Sequence, residues 1–162
     1  MARVTETPMI RVATTEDAPP IARLVNAAFA VEAFFKIGDR TTTAEILDMM
    51  RTGEFLLLEA DGLAGCVFLT MKDDRRAYFG MLSIDPARQG RGFGRMLIDA
   101  VEARARERGC RAMDIHIVNL REELPGFYQK LGYAEHGTLP FPDDERSTRP
   151  CHFVVMSKAL IG

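Results

Sequence analysis

Apolar residues along this chain recur with two different periods, and the switches between them divide it into elements. Residues 9–13 form a short apolar run and predict a first strand. Residues 15–17 read Thr-Glu-Asp and offer a helix N-cap, with Pro19 and Pro20 tolerated in the first turn. Ile21, Leu24, Val25, Ala28 and Phe29 follow at helical spacing, so this helix should bury one face. Between 31 and 41 the rhythm fails: Val31, Ala33, Phe34 and Phe35 are apolar, but Gly38 and Asp39 interrupt them. Thr42 with Glu45 makes a capping box for a short helix through Met50.

Three strand signals come next, at 54–60, 63–71 and 77–84. Asp61-Gly62 joins the first two as a hairpin and a polar turn joins the last two, which predicts an antiparallel meander. Residues 92–108 carry the strongest helical pattern, with Phe93, Met96, Leu97, Ala100, Val101 and Ala105 on one face. Glu102 and Arg106 are expected to pair on the outside, and Gly109 ends the helix. Residues 111–118 alternate, Met113, Ile115 and Ile117 facing one way and Asp114 and His116 the other. Strand, helix and strand over 77–118 imply a parallel crossover. Leu124, Phe127, Tyr128 and Leu131 predict a short helix closed by Gly132, followed by a strand from Tyr133. Residues 139–150 read as a polar, proline-bearing loop and 152–157 as a last strand, exposed and able to support a dimer. With no repeat, low-complexity tract or linker, the expectation is one mixed α/β domain over residues 1–162.

Composition narrows the function classes. A chain of 162 residues can bury a real core, and a net charge of −2 lacks the basic footprint of a nucleic-acid binder. No apolar stretch approaches a membrane span, and the first residues show no secretory h-region. Cys66, Cys110 and Cys151 are odd in number and widely spaced, which predicts free thiols in a reducing cytoplasm. No metal-ligand spacing and no Gly-x-Ser-x-Gly elbow occurs.

The chemistry concentrates at 83–95. A strand ends at Ile84, Asp85-Pro86 turns the chain, and Gly90, Gly92 and Gly94 alternate with Arg91 and Arg95 at the mouth of the long helix, with Arg88 just ahead. Small residues admit a ligand to the backbone, and free amides at a helix start attract anions. This predicts a pyrophosphate-binding turn. The P-loop template fails because neither Gly90 nor Gly92 is followed by Gly-Lys-Ser/Thr at the required distance. The dinucleotide template fails because Arg95 stands where its third glycine belongs.

The pattern that fits is Gln/Arg-x-x-Gly-x-Gly/Ala, met by Gln89-Gly90-Arg91-Gly92-Phe93-Gly94. With Ile10-Arg11-Val12-Ala13 at the start, Ile84-Asp85-Pro86 before the turn and Phe127-Tyr128-Gln129-Lys130-Leu131-Gly132-Tyr133 after it, the chain resembles the GCN5-related N-acetyltransferase superfamily over nearly its whole length. The resemblance implies a mixed, mostly antiparallel twisted sheet, splayed between its fourth and fifth strands and flanked by helices. It implies acetyl-CoA or a related acyl-CoA as co-substrate, no metal, and a primary-amine acceptor, small or on a protein. Membrane and nucleic-acid partners are not expected, and the chain is expected to be a monomer or homodimer.

By the same resemblance, coenzyme A contacts fall on Leu82, Ser83, Ile84, Gln89, Gly90, Arg91, Gly92, Phe93, Gly94, Arg95, Asn119 and Tyr128. Tyr128 matches the family's frequent general acid, although its place on an apolar helix face also fits a core residue. An amide near Leu82 would meet the thioester carbonyl. Many relatives carry a glutamate base at the position occupied here by Tyr78, so the base stays open among Glu32, Glu59, Asp114 and His116. The acceptor side maps to 31–40 and 139–149, with Glu32, Phe35, Arg40, His116 and His152 as contacts and Phe141, Asp143, Asp144, Glu145 and Arg146 nearby. The alternative is a coenzyme A sensor without turnover.

Overall fold

Why each segment adopts its form is visible in what it buries. The structure is a computed structural model and describes residues 7–141 and 147–160. Its strands are β1 (Met9–Val12), β2 (Glu54–Glu59), β3 (Leu63–Met71), β4 (Arg76–Ile84), β5 (Ala112–Val118), β6 (Ala134–Pro140) and β7 (His152–Ala159). Its helices are α1 (Ala18–Ala28), α2 (Thr43–Met49), α3 (Phe93–Glu107) and α4 (Leu124–Lys130). β2 reads as an unbroken apolar run because both its faces are covered. Leu56 and Leu58 join Leu97 and Val101 of α3, while Phe55 and Leu57 join Ile21, Val25 and Ile46 of α1 and α2.

The strands form one sheet in the order β1-β2-β3-β4-β5-β7-β6. All neighbours are antiparallel except β4 and β5, which the α3 crossover makes parallel. The β4–β5 ladder holds only Arg76↔Ala112, Ala77↔Met113 and Tyr78↔Asp114. Beyond Tyr78 the two strands part, so the expected splay is present.

Local chemistry sets the helix starts. Thr14 precedes a single 3-10 turn, Thr15–Asp17, that leads into α1. The Arg11 guanidinium forks onto Asp17 at 2.8 and 2.9 Å and holds that carboxyl down at about 2. Thr42 caps α2 by accepting from the Glu45 amide at 3.1 Å, but Glu45 does not return the bond. Its carboxylate accepts from the Thr41 hydroxyl instead, at 3.3 Å.

Three expectations are corrected. Glu102 does not sit outside: it is 3% exposed, accepting from Tyr133 Oη and Lys158 Nζ at 2.9 Å each. Arg106 lies 3.8 Å from it at the rim. A charged residue can occupy the inner face of α3 because β7 brings a lysine to it. Strand pairing carries β6 to Pro140, two residues into the predicted loop. The last strand is no edge, since β7 lies between β5 and β6, and the fully exposed β6 takes that place.

Candidate functional site

The turn after β4 is built to leave its backbone bare. Asp85 caps the 3-10 turn Pro86–Arg88 by accepting from the Ala87 amide at 3.0 Å. Gly90 and Gly92 then take φ of 81° and 79°, the left-handed region, and a Cβ on either would meet nothing within 4 Å. α3 begins at Phe93. Among the described residues, no acceptor is found for the amides of residues 89 to 95, which lie at the positive end of a fifteen-residue helix. Arg88 is not part of this cradle. Its guanidinium bonds the carbonyls of Ala60 and Asp61, the latter at 2.7 Å, and ties the turn to the β2–β3 hairpin.

The strand leading into the turn is also irregular. Phe68 pairs with Gly80 and Cys66 with Ser83, so Met81 and Leu82 together face Val67. This β-bulge puts Met81 at φ 55°, which costs about 1–2 kcal/mol in a side-chain-bearing residue. The Met81 carbonyl is held by Ser83 Oγ at 3.0 Å and Cys66 Sγ at 3.7 Å.

Where β4 and β5 separate, a cavity of about 760 Å³ opens and continues from the glycine turn to α4 and the segment after α1. Tyr128 lies on its wall, 8% exposed, and burial pushes its phenol up to about 12. Tyr78 lies half-buried on the same cavity with its phenol also raised by desolvation, and a Cβ on Gly80 would strike the Tyr78 hydroxyl at 2.5 Å. The Tyr78 ring meets His116 in a tilted contact at 4.7 Å, and Phe153 makes a second tilted contact with the imidazole at 5.7 Å. His116 Nε2 is buried without a hydrogen-bond partner, a cost of about 1–3 kcal/mol. Burial also lowers the imidazole pKa, so the ring is neutral at pH 7.

At the far end the 3-10 segment Phe29–Phe34 lies on the cavity, and the chain just after it is joined to residues 147–149 by the Lys36↔Ser147 bridge and a 2.8 Å bond from the Thr148 amide to the Phe35 carbonyl. Arg149 sits over the Phe34 ring and Arg40 over that of Phe29. Glu32 is 7% exposed and 3.1 Å from Arg121, which also meets Glu123 at 3.3 Å. Burial outweighs Arg121 and raises the Glu32 carboxyl.

The sequence profile of the Acetyltransferase (GNAT) family matches residues 23–133, from α1 through the glycine turn to the end of α4. The chain belongs to this family. An acetyltransferase of Yersinia pestis (strain Pestoides F) is 29% identical over 85 residues, 52% of this chain and 60% of that protein. Glucosamine 6-phosphate N-acetyltransferase 1 of Oryza sativa subsp. japonica is 36% identical over 76 residues, 44% of each chain. The chain thus spans 60% or less of these curated relatives. The solved structure of yncA from Salmonella typhimurium with its cofactor acetyl-CoA has the same fold, with a TM-score of 0.73 at 19% identity over 95% of this chain and 94% of that one.

Within this GNAT frame the residues singled out from sequence divide by position. Leu82, Ile84, Gln89, Gly90, Gly92, Phe93, Gly94 and Arg95 line the glycine-turn end of the cavity, and Tyr128, Glu32, Arg40 and His116 line the rest. Five others lie off it. Ser83 turns inward to the Met81 carbonyl, and Arg91 is exposed. Phe35 is fully buried in the protein. Asn119 exchanges hydrogen bonds with the His152 backbone at 2.8 and 2.9 Å, bracing β7, and the His152 side chain is exposed. Asp143, Asp144, Glu145 and Arg146 lie outside the described residues. Glu59 bonds Arg11 at the β1 edge. Asp114 is held well below the carboxylate range by Arg76, Ser157 and Lys72 despite its burial.

Sequence reasoning missed Met81, Arg121 and Phe153. Nothing in a strand pattern marks a bulge. Arg121 gains its role only by meeting a glutamate 89 positions earlier. Phe153 reads as ordinary strand alternation, although an aromatic flanking the last strand's start was a usable signal.

Proposed function

We propose that this chain is an acetyl-CoA-dependent N-acetyltransferase that acylates a primary amine, of a small molecule, by direct attack without a covalent enzyme intermediate. The observation that carries the reading is one continuous cavity linking the bare amides of residues 89 to 95 to Tyr128. The turn fits the group: open space over Gly90 and Gly92 admits a pyrophosphate to the backbone. Arg95 on the cavity wall adds charge of the right sign. When bound there, acetyl-CoA supplies a thioester with a thiol leaving group.

The chain's own residues do the rest. The bulge at Met81 and Leu82 turns the β4 backbone toward the cavity, so that the Leu82 amide serves as donor to the scissile carbonyl. A preorganised donor of this kind is worth about 2.7–4 kcal/mol. Tyr128, whose phenol stays protonated to about pH 12, acts as a proton donor to the departing sulfur. The acceptor end, lined by Phe29, Phe141 and Phe153, suits a small amine better than a protein surface.

Thermal unfolding with acetyl-CoA, CoA, ATP and NAD titrated separately tests the donor site. A ligand at about 100 times its dissociation constant adds about 2.7 kcal/mol. Stabilisation by acetyl-CoA and CoA alone is expected. Thiol release with a panel of amines then tests turnover. Donor binding without any amine-dependent release would favour a coenzyme A sensor, a reading kept open by Tyr78 standing where many relatives carry a glutamate.

A further inference from the structure

The cavity holds several groups that can carry a proton, and all but one are committed. The carboxylates on its wall among the described residues are Glu32 and Glu123, and both are tied to Arg121, at 3.1 and 3.3 Å. Tyr78 and Tyr128 are phenols kept protonated by burial. Asp114, two residues before His116 on the same strand face, is fully occupied by Arg76, Lys72 and Ser157. Among the described residues, His116 Nε2 is the buried side-chain polar atom left without a hydrogen-bond partner, and His116 shares the cavity wall with Tyr128.

Orphaned buried polar atoms are rare in native proteins, and each needs a reason. Here the ring is flanked by Tyr78 from β4 and Phe153 from β7, in tilted ring contacts that set its orientation. Resting on the acyltransferase reading above, we infer that His116 is the base that takes the proton from the acceptor ammonium, its Nε2 finding its missing partner in the substrate. Tyr78, standing where many relatives carry a carboxylate, then serves as a positioning residue that fixes the imidazole.

The atoms balance as follows. An ammonium proton passes to His116 Nε2 and leaves a neutral amine. The nitrogen–carbon bond forms and the carbon–sulfur bond breaks. The sulfur takes the Tyr128 proton, and the second proton lost by the nitrogen restores the phenol. His116 releases its proton to water. Ammonium and thioester thus become amide, thiol and one proton.

The groups facing the imidazole set its titration. They are Lys72 from the β3–β4 turn, Asp114 on its own strand and Tyr78 on β4, while Phe153 on β7 carries no charge. Desolvation is the largest influence, followed by Lys72; both hold the ring neutral, and Asp114 opposes them.

The test combines three readouts on the full chain. First, NMR titration of the ligand-free protein, with the His116 resonance assigned by its loss in H116F, should place this imidazole below the ordinary histidine value of about 6.5. Second, the acid limb of wild-type kcat/KM should fall at that same pH. Third, H116F, which keeps an aromatic ring between Tyr78 and Phe153, should lose about 10²–10⁴-fold in kcat/KM at neutral pH and lose that limb, with unchanged CoA affinity. H116F with wild-type turnover and an unchanged limb would overturn the inference while leaving the acyltransferase reading intact. So would a wild-type limb more than about one pH unit from the measured imidazole value, a comparison that stands even if the variant does not fold. Wild-type protein that binds CoA but releases no thiol with any amine would overturn both readings.

Discussion

The two ends of the cavity are made of different material. The proposed donor end is backbone: bare amides, two left-handed glycines and a bulged strand, all within fifteen residues of one another. The proposed acceptor end is side chain: Glu32, Arg40, His116, Arg121 and Tyr128 arrive from five separate segments, Arg121 ion-paired to Glu32 and His116 in ring contact with Tyr78. Backbone recognition tolerates sequence change, because the amide is the same at every residue. Side-chain recognition does not. One end can therefore stay fixed in a family whose other end is rebuilt for each acceptor.

Substitutions can break or sharpen that contrast. The largest effect is expected from Tyr128→Phe, which should lower kcat by about 10²-fold or more while CoA affinity is unchanged, read by thiol release and calorimetry. A parallel loss of CoA affinity would mean that the two ends are not separable. Second is Glu102→Ala, remote from the cavity. It leaves Lys158 and the Tyr133 hydroxyl without their partner and should destabilise by about 3–5 kcal/mol in denaturant unfolding, with CoA affinity unaltered in the protein that remains folded. Third, Gly92→Ala forces a side chain into the left-handed region at the cradle. It should cost about 1–2 kcal/mol and weaken CoA binding, leaving the amine KM in place.

The smallest effect belongs to neither end. Asp17 titrates at about 2 in the folded protein, below its unfolded value of about 3.9. Its contribution is therefore present above about pH 4 and is lost as pH falls toward 2. Because Arg11 is 43% exposed, solvent screening reduces it to about 1 kcal/mol or less. Asp17→Asn should remove that share of the acid destabilisation, measured by urea unfolding between pH 4 and 2.

How much of this was legible in the sequence follows the same division. The donor turn could be read because its determinants are contiguous: glycines, a turn signal and a helix start in one window. The meander and the crossover could be read because each strand and helix shows its own period. Glu102 was misplaced because periodicity records which face a residue occupies, not that a lysine from β7 and a tyrosine after α4 will meet it there. β6 runs two residues into the predicted loop because its pairing partner, not its composition, extends it. The acceptor end was only partly visible for the same reason. His116 could be named from its strand, but its isolation depends on Tyr78, Phe153 and the capture of Glu32 by Arg121, and no local pattern carries that.

The short β4–β5 ladder has a consequence beyond making room. With three paired positions this is the shortest ladder in the sheet, and the two blocks of strands that meet at the seam are held together further by α3 and by Arg76 and Lys72 on Asp114. The seam is where local opening should be cheapest, and amide hydrogens on either side of it should exchange ahead of those in β2 and β3. Anything seated in the gap bridges both blocks and closes that route. Slowed exchange at residues 79 to 84 and 115 to 118 would then report occupancy directly, before any bond is made or broken.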